Sequence, residues 1–117
     1  MGKELYDTNI LIKFWREKKR DIIGYTTILN IIEFPKALLM KWLTILYPTI
    51  EDLNEAVNIS KELMKIGKPI GAIDIVMACV AIRNDLTLVT MDTDLENVKI
   101  IKPHLKIKLI KKSEHPS

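Results

Sequence analysis

GAIDIVMACVAIRNDLTLVTMDTDLENV, residues 71–98, carries the signals that decide the fold. Its first half predicts a helix over 71–84 that is apolar nearly all round, with Ile73, Ile75, Val76, Met77, Val80 and Ile82 spread over every face. A helix of that kind is buried on most sides. Asn84-Asp85 reads as a turn and Leu86–Thr90 as a buried strand, followed by a tight turn or single helical turn over Asp92–Glu96 and a short strand over Val98–Ile101. Cys79 is the only cysteine, so an internal disulfide is excluded, and its apolar neighbours make it a small buried hydrophobe.

Upstream, residues 3–7 (KELYD) suit a short strand, and ILIKFW a helix beginning near Thr8. A charged loop, REKKRD, separates these from IIGYTT. From Thr26 or Thr27 a helical pattern sets in, with Ile28, Ile31, Ile32, Leu38, Leu39, Trp42, Leu43 and Leu46 at three- and four-residue spacing. Pro35 kinks or divides that helix, because it has no N–H to donate, and Pro48 ends it. Thr49 with Asp52 three positions on opens a further helix whose apolar stripe is Leu53, Ala56, Val57, Leu63 and Ile66, closed by Gly67. At the other end, Ile107 and Leu109 alternate with lysines in KIKLIKK, the pattern of a half-exposed edge strand. Residues 35–66 are expected to hold no strand. Strands separated by helices require parallel crossovers, so the expected fold class is α/β, a mostly parallel central sheet flanked by helices. One domain spanning 1–117 is expected, with a basic strand and tail from about 102.

Apolar residues at 48% and charged residues at 28% are a globular balance. The apolar run over Ile70–Ile82, broken by Asp74, falls short of the roughly 20 residues that a membrane span needs. MGKELYD lacks the apolar region of a secretory signal, so a cytoplasmic protein without a membrane partner is expected. Net charge is +3, but the ends are more basic than the sum implies. Residues 1–20 hold six basic side chains against three acidic ones, and from Lys99 onward there are six lysines and one glutamate. Such ends are either a solvated surface or a footprint for a polyanion.

Four acids sit where the apolar pattern does not expect them. Asp7 and Asp92 follow strands, at the carboxyl ends where α/β sheets hold ligands. Glu33 lies between Ile32 and Phe34 in a helix whose neighbours look like core, and Asp74 interrupts the most apolar helix of the chain. Each has an ordinary structural reading: an N-cap for Asp7, an ion pair with Lys36 for Glu33, a helix N-terminus for Asp74, and turn chemistry in DTD for Asp92. Taken together they suggest carboxylates converging beside two strand ends, where mutual repulsion calls for a hard divalent cation, Mg²⁺ or Mn²⁺. Neither His104 nor His115, both in the basic tail, is placed for a zinc site, and both are expected at the surface.

These acids lie in motifs that resemble a known family. LYDTNILI (5–12) looks like the opening motif of PIN-domain proteins, and TTILNIIEF (26–34) is similar to the second, a helix carrying a glutamate. GAIDIVMACVAIRNDLTLVTMDTDLENV resembles the third and fourth: an aspartate opening a buried helix, then a strand ending Thr-x-Asp. The likeness covers about residues 4–101 and implies a three-layer α/β/α fold with endoribonuclease activity, most like the VapC toxins of toxin–antitoxin pairs. It assigns Asp7, Glu33, Asp74 and Asp92 as catalytic metal ligands for Mg²⁺ or Mn²⁺, and gives Thr8, Asn9 and Thr90 supporting roles. Asp94 competes with Asp92 as the fourth acid, and the Thr-x-Asp spacing from Thr90 favours Asp92. The implied partners are an RNA substrate, a small antitoxin and a second copy of the chain in a homodimer. Under that reading Lys13, Arg16, Lys18, Lys19, Arg20 and the C-terminal lysines hold the RNA backbone. Trp15, Tyr25 and Trp42 are expected in the core or a dimer interface rather than stacked on bases. Pro35 so soon after Glu33, a short link to the next helix, and Leu95 where an aromatic often stands depart from the family pattern. Two alternatives compete: a receiver-like domain, disfavoured by the expected lack of a strand in 35–66, and a catalytically silent PIN-like module that binds RNA or protein.

Overall fold

In the computed structural model, which describes residues 3–112, neighbouring side chains of the two central strands enter different cores. β1 (Glu4–Tyr6) and β4 (Thr87–Thr90) run parallel, with Leu5 opposite Leu88 and Tyr6 opposite Val89. Because side chains alternate along a strand, Leu5 and Leu88 point to one face and Tyr6 and Val89 to the other. Leu5 and Leu88 pack with the buried residues of α3 (Ile50–Lys65) and α4 (Ala72–Arg83). Tyr6 and Val89 pack with Ile10 and Leu11 of α1 (Thr8–Arg16) and Ile31 of α2 (Ile28–Glu33). The result is the three-layer α/β/α arrangement that the motif resemblance implies.

Five parallel strands form the sheet, in the order β3 (Lys41–Leu46), β2 (Asp21–Thr27), β1, β4, β5 (Lys106–Leu109). The chain winds outward from β1 through β2 to β3, then returns to the centre and winds the other way through β4 and β5. Between β1 and β4 the winding reverses, and such a switch opens a crevice at the carboxyl ends of the strands. Asp7 follows β1 and Asp92 stands two residues beyond β4, so both acids lie at that crevice. Gly24 lets β2 sit close to β1: its φ is +155°, and a Cβ there would stand 2.6 Å from the Tyr6 ring and 3.1 Å from the Glu4 carbonyl oxygen. Only glycine holds such a backbone without strain.

Two expected elements are replaced. The helix expected from Thr26 or Thr27 to Leu46 is α-helical only over Ile28–Glu33. Pro35 starts a 3₁₀ segment, Pro35–Leu39, and Lys41–Leu46 is a strand. Leu43 and Ile45, two residues apart, pack towards the α1/α2 core while Leu46 packs on the opposite one. That apolar run satisfies period two as well as period three-to-four, and sheet pairing with β2 decides between them. The presence of β3 removes the sequence-based reason for rejecting a receiver-like domain. Strand order supplies a better one, since the receiver type runs 2-1-3-4-5. Val98–Ile101 is a short helix, α5, rather than a strand.

Elsewhere the local signals hold. Thr49 and Asp52 form a reciprocal capping box at the start of α3. Gly67, at φ +71°, closes that helix, with the Lys68 amide donating to the Leu63 carbonyl and the Gly67 amide to that of Met64. The α3 stripe is shifted from its expected place. Ala56, Ile59 and Leu63 are buried, whereas Leu53, Val57 and Ile66 face solvent. Residues 75–81 of α4 are all buried, Cys79 among them, and β5 is an edge strand as expected, with Ile107 partly buried but Leu109 exposed. Trp15 and Tyr25 pack partly buried against the two cores, but Trp42, expected in the core or an interface, is 71% exposed. Among the described residues no helix is long and apolar enough to cross a membrane.

Candidate functional site

Parallel pairing of β1 with β4 brings Asp7 and Thr90 together. The Asp7 amide donates to the Val89 carbonyl, fixing Asp7 beside β4. Its carboxylate is nearly buried and fully engaged: Oδ1 accepts the Thr8 amide at 2.6 Å and Oδ2 accepts the Thr90 hydroxyl at 2.6 Å. The N-cap reading and the cluster reading of Asp7 therefore hold at once. Thr90 Oγ1 in turn accepts the Asp92 amide at 3.0 Å, and Asp92 Oδ1 accepts the Asp94 amide at 2.9 Å, capping a 3₁₀ turn over Thr93–Asn97.

Glu33 ends α2 at the mouth of the crevice. Contrary to the expectation of a core position, it is exposed, and so is Ile32 beside it. Its α2 helix is only six residues long, and of these Asn30 and Ile31 are the buried pair. Its partner is not Lys36, whose ammonium lies 5.7 Å from the Trp15 ring centre, but Thr8, whose hydroxyl donates to Glu33 Oε1 at 2.6 Å. Thr8 is itself held by Asn30, whose Nδ2 donates to Thr8 Oγ1 at 2.9 Å, while Asn30 Oδ1 accepts from the Thr27 hydroxyl at 2.7 Å. Thr27 and Asn30 are both fully buried. Asn30 is the residue that sequence reading missed. The signal was available, since Thr27 and Asn30 have capping-box spacing at the start of α2.

Asp74 stands in the first turn of α4, half-buried, on a helix whose N-cap, Gly71, contributes no side-chain bond. Burial pushes its carboxyl up to about 6, and the charges of Asp7, Asp92 and Glu33 push in the same direction. Burial also raises Asp7; the Thr90 and Thr8 hydrogen bonds oppose the rise, and the charges of Glu33 and Asp92 add to it. Acids from β1, α2, α4 and the β4 exit thus share one electrostatic space. The charge of the exposed Asp94 is not among those raising Asp7 or Asp74. Among the described residues no three His, Cys, Asp or Glu side chains close tightly enough to cage an ion unaided.

The basic residues divide into two groups. Lys13, paired with Glu17, and Arg16 line a hollow with Asn9, Met91 and Lys112, and this adjoins a second hollow reaching Asp92. Lys18, Lys19 and Arg20 do not line it. Arg20 stacks on Trp15 at 3.5 Å, Lys19 pairs with Glu17, and Lys18 sits in a turn at φ +62°. Asn9, expected to support the acids, is exposed and lines both hollows, one of which it shares with Asp92. His104 is exposed as expected, and His115 lies outside the described residues.

The same fold occurs in solved structures. A chain in the DNA-bound VapBC structure from Salmonella typhimurium superposes with a TM-score of 0.74 at 20% identity, covering 92% of this chain and 98% of that one. A chain of VapBC2 from Rickettsia felis, bound to a fragment of its promoter DNA, gives 0.72 at 17%, covering 91% and 97%. VapBC-1 from nontypeable Haemophilus influenzae gives 0.69 at 19%, covering 91% and 96%. At such identities the likeness is one of fold. No protein-family model and no curated protein sequence matches the chain.

Proposed function

We propose that this chain is a Mg²⁺- or Mn²⁺-dependent endoribonuclease, the toxin of a toxin–antitoxin pair. The observation that carries the reading is the clustering of Asp7, Glu33, Asp74 and Asp92 around the crevice between β1 and β4, close enough for the charges of Glu33 and Asp92 to add to the raised proton affinity of Asp7, and those of all three to that of Asp74. The donor set suits a hard cation, being all oxygen, and among the described residues no basic side chain is bonded to Asp7, Glu33 or Asp92. Direct caging by three or more acids is not needed, because Mg²⁺ commonly keeps several waters and takes one or two carboxylates. When bound, the ion lowers the pKa of water and neutralises charge on a phosphodiester.

The chain's own residues do the positioning. Thr90 and the Thr8 amide fix both oxygens of Asp7, leaving one orientation of that carboxylate. Thr8, held by Asn30, holds one oxygen of the exposed Glu33. Asp74, in its first helical turn, has Asp92 as its hydrogen-bonding neighbour and no basic side chain paired with it among the described residues, so its charge most needs a counter-ion.

Partner binding is supported by surface apolar side chains. Ile50, Leu53, Val57 and Met64 recur on one face of α3 at three-, four- and seven-residue spacing, and all four are exposed. Such a stripe suits a second copy of the chain or an antitoxin segment. The VapBC structures that share the fold are complexes with a partner protein, which favours the antitoxin reading.

The deciding experiment is cleavage of a labelled single-stranded RNA pool with and without Mn²⁺, by the wild type and by Asp74→Asn. Cleavage that requires the metal and disappears in the variant supports the proposal. A folded wild type that leaves RNA intact at every metal concentration would instead make it a silent binding module.

A further inference from the structure

We propose that Asn9 and Met91 floor a one-sided track for single-stranded RNA, leading away from the acids on the Asp92 side. The proposal rests on the nuclease reading above and adds where the strand lies. Two adjoining hollows, of about 810 and 640 Å³, share Asn9, Met91 and Lys112. The first opens at Asp92 and runs under the end of β5 to Lys111; the second continues along α1 to Lys13 and Arg16. Lys111 and Lys112 of the β5 exit and Arg16 of α1, with Lys13 paired to Glu17, therefore rim hollows whose shared lining includes the neutral Asn9 and the apolar Met91. That arrangement suits a strand whose phosphates meet the basic rims and whose sugars and bases rest on Met91 and its apolar neighbours.

Charge explains why the track is one-sided. The crevice itself is acidic and repels a phosphate backbone, so attraction has to come from flanking nucleotides. On the Glu33 side the nearby Lys36 is turned onto Trp15 instead. The geometry also reassigns Asn9, which makes no hydrogen bond to any of the four acids and faces the hollows. It serves as a positioning residue for the flanking nucleotide. Unpaired bases are required, because a duplex has no free faces to lay on Met91.

Fluorescence anisotropy of a short labelled single-stranded RNA, measured in metal-free buffer across a salt series with the full chain, tests the track independently of cleavage. Arg16→Glu combined with Lys112→Glu should weaken binding at least about tenfold and flatten the log–log salt dependence by about 2. Met91→Ala should weaken binding several-fold without changing that slope, and Met91→Leu, which keeps the bulk, should restore it. A duplex of the same sequence should bind more weakly than the single strand. Lys18→Glu, outside the hollows, should leave binding as it was. Equal binding by the wild type and the double variant overturns the track and returns the groove to a protein partner, while metal-dependent cleavage in that case leaves the nuclease reading standing. Binding that follows these expectations in a wild type that never cuts RNA upholds the track and sinks the nuclease.

Discussion

Asp52 and Asp74 hold the same place on adjacent helices, the third residue after the N-cap of α3 and of α4, and their environments drive them in opposite directions. Asp52 is 4% exposed and bonded on every side: Arg83 Nε donates to both its oxygens at 3.0 and 2.9 Å, and the Thr49 amide donates to Oδ2 at 2.9 Å. Burial alone would raise its carboxyl, but the Arg83 and Thr49 bonds outweigh it and the net shift is downward. Asp74 has neither a capping side chain nor a cation, faces three other carboxylates, and is pushed up to about 6. One acid ties α3 to α4, and the other has no such cationic partner among the described residues. Helix position alone does not separate a structural carboxylate from one available for chemistry; the charges facing it do.

That contrast is sharpest in activity. Asp74→Asn should reduce cleavage on the order of 10³-fold, since a lost metal contact removes several kcal/mol of transition-state stabilisation at about 1.4 kcal/mol per decade. Asp52→Asn should cleave at close to the wild-type rate under conditions where it is folded. Its loss lies in stability. Breaking the buried pair strands the Arg83 guanidinium, though Arg83 is 39% exposed, so a cost of about 1–3 kcal/mol is expected rather than the larger penalty of a fully buried pair. Thermal denaturation should register this as a fall of roughly 4 °C per kcal/mol. A cleavage defect in Asp52→Asn as deep as that of Asp74→Asn would erase the distinction.

The positioning hydroxyls come next in size. Thr90→Val removes the donor to Asp7 Oδ2, and Thr8→Val removes the donor to Glu33 and leaves the buried Asn30 amide short of an acceptor. Each should lower kcat about tenfold, corresponding to one hydrogen bond to a charged group at about 1.5 kcal/mol, with a smaller change in KM. Steady-state kinetics with a fluorogenic RNA would show whether kcat or KM carries the loss.

The two regions were not equally legible in sequence. Asp52 was visible as a capping residue because Thr49 stands three positions before it, and a local rule suffices. Its partner Arg83 was not, because the pair is formed by packing α3 on α4. Asp74 and Glu33 stood out as acids among apolar helical neighbours, and Asp7 and Asp92 as acids at the carboxyl ends of expected strands. Fold class and parallel pairing followed from alternation of strands and helices. What the sequence concealed was decided by long-range pairing. β3 emerged from a run that fits both periods, and only its place beside β2 makes it a strand. Glu33 was expected inside because its neighbours are apolar, yet Ile32, Leu38, Leu39 and Trp42 are all more than 60% exposed, so apolar composition there marks surface rather than core. Asn30 was overlooked because its work, holding Thr8, crosses from α2 to α1.

The smallest expected effect is also the most discriminating, because it reverses the usual sign of a mutation in a folded protein. A carboxyl with a raised pKa in the native state binds protons more tightly there than in the unfolded chain, so stability falls as pH rises between about 3.8 and 6 and stays reduced above that. Asp52, with its lowered pKa, contributes in the opposite sense: its stabilisation is present at neutral pH and is lost as pH falls through the acid range. In metal-free buffer at pH 7, Asp74→Asn should therefore melt a few degrees higher than the wild type, about 2–5 °C, having removed an uncompensated charge. The gain should shrink as pH is lowered below 6, where the wild-type carboxyl takes up its own proton. Adding Mn²⁺ should raise the wild-type midpoint by an amount that grows with the logarithm of concentration, and raise that of Asp74→Asn much less, closing or inverting the gap. A variant less stable than the wild type without metal would mean that Asp74 already has a favourable partner, and the two aspartates would then be of one kind.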